Sequence, residues 1–209
     1  ETLLFGLQTI GASYIHYAIP DQRGGAYVYH FHNAIGGVYN TYVTHFDATG
    51  TPTITNPNGV AVHTPDYSNY YTNAYATVDL NTNDVIIAYI QKDAYTQSQH
   101  RIYVNRITET GEVLLGEGLL VADYTGVSYN NIRVDAIDET SGFVVIYGTG
   151  QGRIEAVGYN IDNEPVWNTT ISSTSYDKTI SDNTSKYQWG QDIIAWINRD
   201  TGGLYGQNI

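Results

Sequence analysis

The sequence predicts an all-β chain made from one supersecondary unit used four times, and three observations carry that reading. β-branched and tyrosine residues recur in runs of about five to eight, separated by clusters of Gly, Asn, Asp and Pro. No helical period competes with them. The runs also repeat: AYVYH at 26–30, VIIAY at 85–89, FVVIY at 143–147 and DIIAW at 192–196 each end in an aromatic or His, cross a polar loop and enter a second strand.

The second strands align in the same order, as YVTHFDATG from Tyr42, YVNRITETG from Tyr103, EAVGYNIDN from Glu155 and YGQNI from Tyr205. The anchors His30, Tyr89, Tyr147 and Trp196 stand 59, 58 and 49 residues apart, the length of a multi-stranded unit. Around the second repeat, strands are expected at 60–63, which opens it, then 73–78, 85–90 and 101–107. The joints at 49–50, 81–84, 110–111 and 162–163 carry residues that tolerate positive φ. Asn163 stands where the other repeats place Gly50 and Gly111, an exchange that a left-handed turn position permits.

Four antiparallel strands in each unit of roughly 50 residues, repeated side by side, predict the blades of a β-propeller or of a propeller segment. A β-sandwich would not return the same strand, loop and turn order four times. One domain over 1–209 is expected, with blade-like units at about 11–63, 64–122, 123–171 and 172–209, the last completed by 1–10. The chain ends at Ile209, where the third strand of the other units ends, and 1–4 aligns with 112–115, the lead-in to a fourth strand. The N-terminal strand is therefore expected to fill the last blade and hide its edge. A piece cut from a larger ring is the alternative.

Composition bounds the partners. A chain of 209 residues can bury roughly 70% of its unfolded surface without staples. With 21 acidic against 9 basic residues the net charge is −12, which repels phosphate backbones, so nucleic acid is not an expected partner. No apolar window long enough to span a bilayer and no basic-then-apolar leader occur, so neither membrane insertion nor a signal peptide is expected. A chain opening at Glu1 with no Met is expected to be a mature product or part of a longer protein with further domains. The absence of Cys removes disulfides, thiolate nucleophiles and thiolate metal sites. Twenty Tyr, 21 Gly, three Lys and abundant Thr, Asn and Ser fit a rigid polar surface outside the cell.

DIIAWINRDTGGLYGQNI at 192–209 and FDATGTPTITNPNGVAV at 46–62 resemble the tandem repeats of secreted Bacteroidetes-type propellers. Trp196, Arg199, Gly202, Tyr205 and Gln207 match that pattern in the fourth unit, and Asp47, Gly50, Gly59, Val60 and Val62 match it in the first and second. His30, Tyr89 and Tyr147 stand where the family has Trp, and three loops lack its Arg. The resemblance implies a propeller in a secreted or cell-surface protein, with mainly structural motif positions and no fixed substrate.

Function is then sought in the loops, because unrelated sites are built on one scaffold. If the strands run outward from an axis in chain order, the loops entering each innermost strand share a face with those joining second to third strands. That face collects Tyr67, Asn69, Tyr70 and Tyr71, then Asp93 and Tyr95, then Asp123 and Tyr124, and finally Tyr176 and Asp200. Rings can cover the apolar face of a sugar while amides and carboxylates take its hydroxyls. The same mixture suits adhesive contacts with a surface protein. Packing between blades is the competing role for each tyrosine.

Other chemistry is less favoured. The run DLNTND offers Asp79, Asn81, Asn83 and Asp84 to calcium, but lacks the central Gly and distal Glu of an EF-hand loop and reads equally as a hairpin connection. The six His show no zinc spacing. Arg133 and Asp135 share a side of the predicted innermost strand 131–137, as an ion pair or as one half of a glycosidase carboxylate pair. The Ser-x-Asp-x-Gly-x-Thr-Trp turn of sialidases is missing. The sequence thus predicts an extracellular binding or adhesion module, carbohydrate-directed and without catalysis or cofactor; a structural spacer in a large surface protein and a glycoside hydrolase are the alternatives.

Overall fold

The computed structural model describes residues 13–34, 38–63, 69–93, 99–125, 131–137, 142–149, 153–172, 178–180, 193–198 and 203–208, none of them helical. β1 (Ser13–Pro20), β2 (Ala26–Ala34), β3 (Val38–Phe46) and β4 (Val60–Ala61) form the first sheet. β5 (Asn69–Val78), β6 (Val85–Asp93), β7 (Gln99–Ile107) and β8 (Leu119–Thr125) form the second. The third holds β9 (Asn131–Ile137), β10 (Gly142–Gly148), β11 (Ile154–Tyr159) and β12 (Pro165–Ser172). Among the described residues the fourth sheet has three strands, β13 (Lys178–Ile180), β14 (Ile193–Asn198) and β15 (Gly203–Asn208). Each sheet is an antiparallel meander in chain order.

The anchors that recur in the sequence are cross-strand rungs. His30 lies opposite Tyr42, Tyr89 opposite Tyr103, Tyr147 opposite Glu155 and Trp196 opposite Tyr205. In the first two sheets the paired rings stack with centroids 5.8 Å apart; in the third, the Tyr147 hydroxyl donates to Glu155 Oε2 at 2.9 Å. The following turns are equally regular. Side-chain oxygens of Asp47, Thr108 and Asn160 accept the N–H of the residue four ahead, at 2.9, 3.0 and 2.8 Å. The residue three ahead is left-handed each time: Gly50 at φ 81°, Gly111 at 89° and Asn163 at 62°. Asn tolerates that region at little cost.

Successive sheets pack face to face, first on second, second on third and third on fourth. β6 shows why: VIIAYI is apolar at every position, because alternate residues serve two different cores. Val85, Ile87 and Tyr89 pack against Tyr27, Tyr29 and Val43 of the first sheet. Ile86, Ala88 and Ile90 pack against Phe143, Val145 and Tyr147 of the third. β10 is buried along its whole length. A middle sheet with both faces covered by different sheets is incompatible with a two-layer sandwich. The first strands of the second and third sheets, β5 and β9, also touch, the Arg133 guanidinium lying 3.6 Å from the centre of the Tyr75 ring.

Two boundaries differ from expectation. The strand expected at 60–63 to open the second repeat is instead the outer strand of the first sheet, where Val60 and Ala61 pair with Val43 and Tyr42. The outer strand of the second sheet runs to Thr125, past the unit limit expected at 122. The lead-in read at 112–115 contributes only a bridge between Val113 and Ile107. A turn through Gly116 and Gly118, both at positive φ, delays β8. The segment 1–10 and Ile209 lie outside the described residues, and with them the expected completion of the last sheet.

Gly158 occupies the position of His45 and Arg106 in the other repeats, and a Cβ there would sit 2.2 Å from the indole of Trp167. Gly158→Ala is expected to cost about 1–3 kcal/mol by overpacking. A lowered urea midpoint with altered tryptophan fluorescence checks this, and an unchanged midpoint contradicts it.

Candidate functional site

Six of the ten residues expected to bind ligand fall at one end of the second sheet. Register sets Asn69 opposite Asp93, Tyr70 opposite Lys92 and Tyr71 opposite Gln91. Lys92 and Gln91 face His100 and Arg101, which in turn face Tyr124 and Asp123. Two polar rungs therefore cross all four strands, Tyr70–Lys92–His100–Tyr124 and Tyr71–Gln91–Arg101–Asp123. These residues were expected in loops and lie in strands instead, because the ladder of the second sheet continues beyond its apolar core. Tyr67, Tyr95, Tyr176 and Asp200 lie outside the described residues. The connections 64–68, 94–98 and 126–130 all leave from this same end.

Asp123 is exposed, and its Oδ2 accepts from Arg101 Nε at 3.1 Å. Partial burial disfavours the Arg101 charge, but the Asp123 carboxylate outweighs it and holds the guanidinium above its ordinary value. An exposed pair of this kind contributes at most about 1 kcal/mol to stability. Its use is to fix a planar donor group at the sheet end.

A second polar cluster lies at the opposite end of the first two sheets, and of its members the sequence singles out only Asn83, as a calcium candidate. His45 Nε2 is 3.0 Å from Asp21 Oδ2 and His45 Nδ1 is 2.8 Å from Thr53 Oγ1. Thr53 donates onward to the carbonyl of Glu109 at 2.5 Å, so both His45 nitrogens face acceptors. Asn83 joins in, its amide donating to Glu109 at 2.5 Å while its Oδ1 accepts from Gln22 N at 2.9 Å. The order Asp, His, hydroxyl resembles a hydrolytic triad, but the hydroxyl hydrogen is spent on a backbone carbonyl and His45 is 1% exposed. The chain is an inter-sheet strut. The sequence signal for it was weak: acidic turn residues at Asp21 and Glu109, and a polar residue, His45, within β3.

Two of the calcium candidates, Asp79 and Asn83, are held by contacts within the fold. Asp79 pairs with Arg106 at 3.1 Å and accepts from Asn81 N at 2.9 Å, which shapes the β5–β6 hairpin. Asn83 takes the left-handed conformation there, at φ 65°. Among the described residues no three His, Cys, Asp or Glu side chains gather as metal ligands would, and no helix is long and apolar enough to cross a membrane.

Comparison with known proteins gives a fold likeness and no family. No family model matches the sequence, and no curated protein does. Among solved structures, the Hadza microbial sialidase Hz136 matches with a TM-score of 0.56 at 12% identity over 95% of this chain. This chain spans only 44% of that sialidase. A GH43 β-1,3-galactosidase solved with galactodeoxynojirimycin matches at 9% identity and a TM-score of 0.47, over 92% of this chain and 74% of that one. By name these neighbours are a sialidase and a galactosidase, and of the two the first alone matches above a TM-score of 0.5. At such identities the likeness speaks for the fold.

Proposed function

We propose that this chain is a β-propeller segment of a secreted or cell-surface protein, akin to the Bacteroidetes-type tandem-repeat propellers, which binds glycans through one rim and has no chemistry of its own. The observation that carries this is the register of the second sheet. It gathers Asn69, Tyr70, Tyr71, Asp93, Asp123 and Tyr124 at one end, where the tyrosine-bearing connections 64–68 and 94–98 also begin. Tyrosines interleaved with amides and carboxylates suit a neutral sugar, whose axial hydrogens pack on rings while its hydroxyls bridge polar groups. Four meanders in chain order and the sialidase fold likeness support the propeller part of the reading.

The test is a glycan array probed with the wild type and with a Tyr67→Ala, Tyr70→Ala, Tyr71→Ala variant. Binding to at least one glycan class is expected, and the variant should lose about tenfold or more in affinity with unchanged circular dichroism. Binding that survives the triple substitution would refute the site. Release of sugar from a bound glycan would refute the non-catalytic part.

A further inference from the structure

The repeat lets each inter-sheet gap be compared with the next. Between the first and second sheets the space is filled by large rings: Tyr27, Tyr29 and Phe31 from one side, Tyr89 and Tyr103 from the other. Asn105 then bridges the sheets, its amide donating to Val62 O at 2.6 Å and Gly116 O at 2.9 Å. Between the second and third sheets the equivalents of Tyr27, Tyr29 and Phe31 are Ile86, Ala88 and Ile90, all smaller. Tyr103 is replaced by Glu155, and Asn105 by Val157, which has no amide to make the bridge.

A cleft of about 490 Å³ opens at this place, between β8 and the outer strands of the third sheet. This falls within the range of small-molecule sites, about 300–1,000 Å³. Leu120, Val121 and Val157 give it an apolar side; Asn168, Thr170 and Glu155 give it a polar one. Glu155 already accepts the Tyr147 hydroxyl at 2.9 Å through Oε2 and pairs with Arg153 at 3.2 Å through Oε1. The Arg153 guanidinium compensates its charge. Asn168 and Thr170 are exposed and Leu120 is 48% exposed, so both sides of the cleft are open to a ligand from solvent. A compensated carboxylate disfavours free cations and anions alike.

We propose that this lateral cleft binds a neutral pyranose unit, its apolar face on Leu120 and Val157 and its hydroxyls on Glu155, Asn168 and Thr170. The proposal rests on the carbohydrate-binding reading above but uses a separate site. Its test is an NMR titration of the full chain with a panel of methyl pyranosides, gluco, galacto and manno in both anomers. At least one should shift the backbone amides of Val121, Val157 and Asn168. An Asn168→Ala, Thr170→Val variant should weaken that titration about thirtyfold, at roughly 1 kcal/mol for each of two hydrogen bonds, while the triple tyrosine variant leaves it unchanged. Shifts confined to residues 69–71, abolished by the tyrosine substitutions, would sink the cleft and spare the rim; shifts confined to the cleft would do the reverse. Silence of the cleft amides toward every pyranoside, or their response to an extended apolar peptide alone, overturns the proposal.

Discussion

Asn105→Val should lower the stability of the chain by about 4 kcal/mol, because one buried amide satisfies four backbone groups. Its Nδ2 donates to Val62 O and Gly116 O at 2.6 and 2.9 Å. Its Oδ1 accepts from Arg106 N at 2.9 Å and Leu115 N at 3.2 Å. The residue has no solvent exposure, so water cannot substitute for a lost partner. Each orphaned group costs about 1–3 kcal/mol, and valine regains only part of that through its methyl groups. For a chain of this size the melting temperature should fall by roughly 10 °C. Valine is the informative choice because Val157 holds the equivalent position in the third sheet. If Asn105→Val melts within about 2 °C of the wild type, the amide bridge does not join the first two sheets energetically.

The elements that local chemistry dictates were legible in the sequence. Tyr89 and Tyr103, or Tyr147 and Glu155, could be aligned as anchors because each pair flanks one loop, and a rung between adjacent strands needs no distant partner. Asn163 could be read as left-handed because few other residues tolerate that backbone region. β8 was misplaced because LLVADYT carries Asp and Tyr beyond its apolar start, and only its pairing with β7 shows that Asp123 and Tyr124 belong to a strand. The Asp21 strut was barely legible. His45, Asn83 and Glu109 come from three connections and strands far apart in the chain, and a polar residue in a turn reads the same whether it meets water or another sheet. The cleft escaped notice for the same reason, since it exists only as the difference between two gaps.

Asp21→Ala should be as damaging as the loss of Asn105, and its effect should depend on pH. Its Oδ1 accepts from Arg23 N at 2.8 Å and Gly25 N at 2.6 Å, while Oδ2 meets His45 and Asn83. The Asp21 and His45 side chains are each 2% exposed, so removing the carboxylate strands an imidazole between sheets. Breaking a buried pair in this way costs about 3–5 kcal/mol. Burial alone would raise the Asp21 carboxyl; the His45 hydrogen bond, helped by the Arg23 and Gly25 amides and Asn83, holds it below its ordinary 3.8. A carboxylate with a depressed folded value stabilises fully above the unfolded value and loses that contribution as pH falls through the folded one. The Asp21 contribution is therefore complete above 3.8 and vanishes at lower pH. Asp84 is raised by burial and acts in the opposite direction, so the wild-type acid curve mixes the two. The difference between wild type and Asp21→Asn isolates Asp21, since the amide keeps the shape and cannot ionise. Urea midpoints should diverge most near neutral pH and converge below 3.8. A gap that stays constant across the acid range would mean that Asp21 supports the strut by the hydrogen bonds that an amide cannot reproduce, without its charge.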